Sequence, residues 1–102
     1  MEVKLAKEAL SEDLSRAAEA FEKELTEYLS TVEMLGAKSV EIRTDWLYSR
    51  VEGLTCDSVK MLLCMRVMKD HMLPDDEVLD EPDDFDGRFL EIRFQLPRKT
   101  PK

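Results

Sequence analysis

Ser58-Val59-Lys60-Met61-Leu62-Leu63-Cys64-Met65-Arg66-Val67-Met68-Lys69 contains the longest unbroken apolar run of the 102-residue chain, Met61 to Met65, and its secondary structure sets the architecture. Wound as a helix, its charges Lys60, Arg66, Lys69 and the following Asp70 spread around the barrel without leaving a clean apolar face. Drawn as a strand, Val59, Met61, Leu63, Met65 and Val67 point one way, against Lys60, Leu62, Cys64, Arg66 and Met68. Side chains alternate with a period of two along a strand, so the spacing predicts a strand over 58–69. The competing consideration is that Met, Leu, Lys and Arg are individually good helix formers.

Upstream the period is helical. Leu14, Ala18, Phe21, Leu25, Tyr28, Val32 and Leu35 recur at alternating spacings of four and three, which places them on one stripe. Ser11 can cap the start, Glu12 and Asp13 complement the helix dipole, and Gly36 supplies a left-handed stop. A helix over 11–35 follows, packed either on the protein's own sheet or, as the 3.5-residue period also allows, in a coiled coil with a partner. The flanking positions form no complementary charge pairs, and Ala18 and Tyr28 in the seam fit sheet packing better.

After Gly36 the period changes to two. Val40, Ile42, Thr44 and Trp46 alternate with Glu41, Arg43 and Asp45, giving a strand over about 39–48, although the run from Thr44 to Val51 can also form a short helix capped by Thr44. Near the C-terminus Leu90, Ile92, Phe94 and Leu96 alternate with Glu91, Arg93 and Gln95, giving a strand over about 88–96 closed by Pro97. The expected fold is α+β: a single small domain, 1–102, with the long N-terminal helix on one face of a three-stranded antiparallel sheet. Its simplest connectivity is an α-β-β-β meander with 58–69 in the middle. A loose basic tail, 97–102, ends it.

Between the last two expected strands lies an acidic loop, 74–87. Asp75, Asp76, Glu77, Asp80, Glu81, Asp83, Asp84 and Asp86 occur there with no Lys or Arg among them. This segment alone equals the formal net charge of the whole chain, −8. It reads as a solvated loop that confers solubility or as a recognition loop for a basic protein surface, with Val78, Leu79 and Phe85 as apolar anchors. A cation site is the weakest reading. Asp84-Phe85-Asp86-Gly87 matches part of a calcium loop, but Pro82 and Arg93 stand where carboxylates are required.

Other chemistries lack their residues. The single histidine, His71, has no local cysteine partner, because Cys64 would lie ~23 Å away along a strand. Cys56 and Cys64 would be ~26 Å apart in a strand and ~12 Å in a helix, beyond disulfide reach, so both are expected as reduced thiols, with Cys64 in the core. Three glycines make no phosphate-cradling loop, and two cysteines with one histidine lack zinc spacing. No enzyme, metal or cofactor is expected. The start of the chain mixes charges and no apolar run approaches ~20 residues, so a cytoplasmic protein without signal peptide or membrane span is expected. The acidic balance opposes direct nucleic-acid binding.

The partner-binding candidates are therefore Asp75, Asp76, Glu77, Asp80, Glu81, Asp83, Asp84, Phe85 and Asp86, joined by acids of the first helix. The function they suggest is a small non-enzymatic regulator or inhibitor binding a basic protein surface, possible even as a nucleic-acid mimic. Size and acidity are similar to those of small phage proteins that block restriction or CRISPR nucleases, a likeness of composition alone. The alternative is a homo-oligomeric structural subunit, or a homodimer, with the helix seam and the Met-rich strand as interface and the acidic loop serving only solubility.

Overall fold

In a computed structural model, which describes residues 12–53, 57–81 and 89–98, the fold is α+β. Its elements are α1 (Glu12–Met34), β1 (Ser39–Arg43), α2 (Thr44–Glu52), α3 (Ser58–Asp70), β2 (Glu77–Asp80) and β3 (Glu91–Gln95). The long N-terminal helix and the three-stranded antiparallel sheet are present as the periodicities require. Phe21, Leu25 and Leu29 of α1 are buried in one core with Ile42, Ile92 and Phe94 of the sheet. Ala18, Phe21 and Leu25 of the α1 seam are thereby buried within the chain, Leu14, Tyr28 and Val32 are half-buried, and Leu35 is exposed.

The helix ends where glycine permits. Gly36 has φ +90°, its amide donates to the Glu33 carbonyl, and the Ala37 amide donates to the Val32 carbonyl. These two bonds satisfy carbonyls that the helix leaves open and turn the chain toward β1.

The stretch 58–69 is a helix, not a strand. Asp57 caps it, its carboxylate accepting from the Val59 and Lys60 amides at 3.0 and 3.2 Å. Met61, Cys64 and Met68 with Leu63 and Val67 form a wide buried arc packed on α1 and α2, while Ser58, Val59, Leu62, Arg66, Lys69 and Asp70 face out. Period-two alternation matched by accident. Only Lys60 breaks the helical pattern, and its ammonium reaches Glu52 at 2.9 Å and Asp13 at 3.7 Å, so the stem lies over the core while the charge stays paired. Six methionines in the sequence thus serve partly as core filling, with Met61 and Met68 buried.

The expected strand over 39–48 stops at Arg43. Thr44 opens α2 instead, fully buried, its hydroxyl donating to the Leu90 carbonyl at 2.9 Å. Since that hydroxyl is engaged across the core, Thr44 does not cap; Arg43 occupies the cap position without a side-chain bond. The expected meander is corrected too. The sheet order is β1-β3-β2, with the last strand central. Its third member, β2, lies inside the segment expected to be a loop, where Val78 opposite Ile92 and Glu77 opposite Arg93 secure it. The strand expected over 88–96 runs over Glu91–Gln95, and the alternation holds, with Leu90, Ile92, Phe94 and Leu96 buried.

The helices α2 and α3 follow one another in the chain and pack together, and β2 pairs antiparallel with β3. Within the described residues no helix is long and apolar enough to cross a membrane.

Candidate functional site

The acidic candidates separate into three groups. Asp83, Asp84, Phe85 and Asp86 lie outside the described residues. Asp75 is exposed in the turn after α3, and Glu77, Asp80 and Glu81 lie on or beside β2. Asp76 is different in kind. Its side chain is 0% exposed and accepts from the Leu73 amide at 2.7 Å, the Gln95 amide at 2.8 Å and the Arg98 guanidinium at 2.7 Å. Burial alone would raise its pKa, but the Arg98 bond, the two amide bonds and the Arg98 charge outweigh that and hold the carboxyl below its ordinary value. Asp76 is therefore a structural anchor rather than a free contact.

Arg98 completes that anchor. It also donates to the His71 carbonyl at 2.6 Å, its amide donates to Glu33, and its guanidinium lies 5.2 Å from the Phe94 ring centroid. The start of the tail expected to be loose is thus tied to α1, α3 and the β2 approach.

Glu77 and Glu81 also have internal partners. Arg93 lies between Glu41 at 2.8 Å and Glu77 at 3.5 Å on the outer sheet face, and Lys69 of α3 pairs with Glu81. Asp80 stands opposite Glu91 in the ladder. On α1 the exposed acids are Glu12, Asp13, Glu19, Glu22 and Glu27, whereas Glu24 is held by Arg50 at 2.8 Å. The structure therefore does not bring the described acids into one patch; it spreads them over α1 and the hairpin.

Pairing of the positive charges is more complete. Each of the six described arginines has a carboxylate within 4 Å: Arg16 with Glu12, Arg43 with Asp45, Arg50 with Glu24, Arg66 with Asp70, Arg93 with Glu41 and Arg98 with Asp76. The Arg43–Asp45 pair is bidentate, both bonds 2.7 Å. The hydrogen bond and charge of Asp45 raise the Arg43 pKa, and the Arg43 bond lowers Asp45 against the opposing effect of burial.

An open cleft of about 720 Å³ runs beside α2. Tyr28, Trp46 and Tyr48 contribute aromatic surface, Met61 an apolar floor, and Arg43 and Glu91 charge. The Tyr28 and Trp46 rings are 4.6 Å apart, centroid to centroid, and tilted. The periodicities place Tyr28 in the helix seam and Trp46 on the strand expected over 39–48. The usable signal was the alternative helix beginning at Thr44, which swings Trp46 toward α1.

Among the described residues Cys64 and His71 do not form a nucleophilic pair. Cys64 and His71 are two helical turns apart, ~10.5 Å along α3 rather than the distance of an extended strand. Cys64 is a free thiol in the core, facing the Thr44 carbonyl, and burial pushes its pKa up to about 12. His71 places Nδ1 3.1 Å from the Val67 carbonyl and Nε2 3.9 Å from Glu22. Among the described residues no group of three or more His, Cys, Asp or Glu side chains is gathered for a metal. No protein-family model matches the chain, and neither a curated protein nor a solved structure is significantly similar to it.

Proposed function

We propose that this is a non-enzymatic, cytoplasmic protein-binding module that regulates or inhibits a partner by engaging its basic surface. What carries the reading is the internal pairing of the described arginines. With those guanidinium groups held by the chain's own carboxylates, a chain at net −8 keeps a negative excess, to which exposed acids of α1 and Asp75 contribute. Such a surface attracts a basic partner at long range and repels polyphosphate. A partner whose basic surface normally holds nucleic acid would then be occupied by mimicry.

A second reading has one observation in its favour. Two consecutive helices, α2 and α3, occur in the order found in helix-turn-helix proteins, whose second helix reads nucleic acid. Yet the outward face of α3 carries Val59 and Leu62, Arg66 is paired with Asp70, and Lys69 with Glu81. Phosphate binding needs free basic groups, so the protein-partner reading is preferred.

The test replaces acids of the 74–87 segment and of the exposed face of α1: Asp75→Asn, Asp83→Asn, Asp84→Asn and Asp86→Asn together with Glu27→Gln. Asp76 is spared because its loss would unfold the site. Affinity-tagged protein should retain a partner from extract that the substituted chain loses and that duplex DNA displaces. Equal retention by both chains sinks the acidic-surface reading. A shift of labelled duplex DNA by the protein alone, abolished by Arg66→Ala, would establish the second reading instead.

A further inference from the structure

We propose that the cleft beside α2 receives an arginine side chain of the basic protein partner, its guanidinium stacked on the Tyr28–Trp46 pair and held by Glu91. This rests on the acidic-surface reading and names where on that surface the partner is anchored.

The aromatic pair already binds one guanidinium. Arg50 lies 4.9 Å from the Trp46 centroid and 5.9 Å from that of Tyr28, with Glu24 accepting from its Nε at 2.8 Å. Arg50 is not among the residues lining the cleft, so the cleft meets the pair from another side. The same ingredients recur there: the same two rings, the further aromatic Tyr48, and a carboxylate.

That carboxylate is Glu91, whose charge also acts at longer range on Arg43 and Arg93. Arg43 is engaged bidentately by Asp45, and Glu41 is engaged by Arg93, so these lining charges are satisfied. Glu91 lies on β3 between Arg43 and Asp80 in the strand registers, is half-buried, and has no ion pair within 4 Å among the described residues. A half-buried anion in a cleft with aromatic faces favours a cation, and a planar guanidinium suits both kinds of contact. It stacks on a ring while its edge donates two parallel bonds to a carboxylate, which an ammonium cannot do. The volume falls within the range of pockets that enclose a side chain or small ligand.

Trp46 is the single tryptophan of the chain, so its fluorescence reports directly on the cleft. The probes are two short acetylated, amidated peptides, Gly-Arg-Gly-Arg-Gly and Gly-Lys-Gly-Lys-Gly, of equal charge. The expected result is a saturable change in Trp46 emission with the arginine peptide and several-fold weaker binding of the lysine peptide. Glu91→Gln should weaken the arginine peptide roughly ten-fold while the denaturation midpoint stays near that of the parent. Tyr28→Leu, which keeps apolar bulk but removes the ring, should reduce the preference for arginine. If calorimetry finds the arginine peptide bound while Trp46 emission is unchanged and Glu91→Gln binds equally, the cleft proposal is overturned and the acidic-surface reading stands. If neither peptide binds, the cleft proposal is overturned, whereas partner retention by the unsubstituted chain alone still upholds the broader reading.

Discussion

Asp76 sits in the middle of a run of acids and differs from all its neighbours in what it does. Three donors converge on its buried carboxylate, from the chain before β2, from β3 and from Arg98. Asp76→Asn replaces one acceptor oxygen by a donor facing a guanidinium, so we expect a loss of about 3 kcal/mol in urea unfolding at pH 7. Because the folded pKa lies below the unfolded one, the carboxylate's contribution is complete above the unfolded value near 4 and is lost as pH falls through the folded value. The gap between the parent and Asp76→Asn should therefore close in acid, as parallel urea series from pH 7 downward can establish. A gap that stays constant to pH 2 would refute the assignment. None of this was readable locally. The sequence marks Asp76 only as one acid among eight, and its chief partner, Arg98, lies 22 residues away in a tail that composition alone marks as loose.

Among the elements, α1, β1 and β3 were legible because burial on a single face imprints one period. α3 was not. Its buried arc is wide, since α1 and α2 both pack on it, and Val59 and Leu62 put apolar residues on the face that normally carries only polar ones. Lys60, folded back to Glu52, placed a charge on the buried side. The stronger signal was Asp57, which reads as a turn residue but is an N-cap. Asp57→Ala should cost about 1 kcal/mol, with Asp57→Asn costing much less, in thermal or urea unfolding. Equal effects of the two substitutions would contradict capping. β2 escaped notice for the opposite reason: four residues with acids at both ends carry almost no strand signature, and pairing with β3 alone makes them one. Short, charged edge strands resist adding further strands, which weighs against sheet-edge dimerisation at β2.

At the scale of the molecule, charge is arranged in local neutral pairs set in a negative excess. Close pairs are little affected by salt, whereas the long-range field decays over about 8 Å at physiological ionic strength. Association with a basic partner should therefore slow at least ten-fold between 50 and 500 mM NaCl while dissociation changes much less, measurable by stopped flow on Trp46. A salt-independent association rate would remove the electrostatic basis of the proposed function. The candidate acids were visible from composition, but their division into anchors, paired residues and exposed charges depends on contacts between distant parts of the chain. The Trp46 cleft depends on the strand-to-helix change at Thr44, which periodicity left open.

The central place of β3 in the sheet also governs the order in which the protein can assemble. Among the described residues β1 and β2 have no hydrogen-bonding partner in the sheet other than β3, and β3 follows both in the chain. A nascent chain that has emerged only as far as Asp80 can form helices but none of this sheet's ladder, since Ile42 and Val78 both stand opposite Ile92. Closure of this sheet thus follows synthesis of β3, and its β1–β3 half is made through contacts of large sequence separation, which are slow to form.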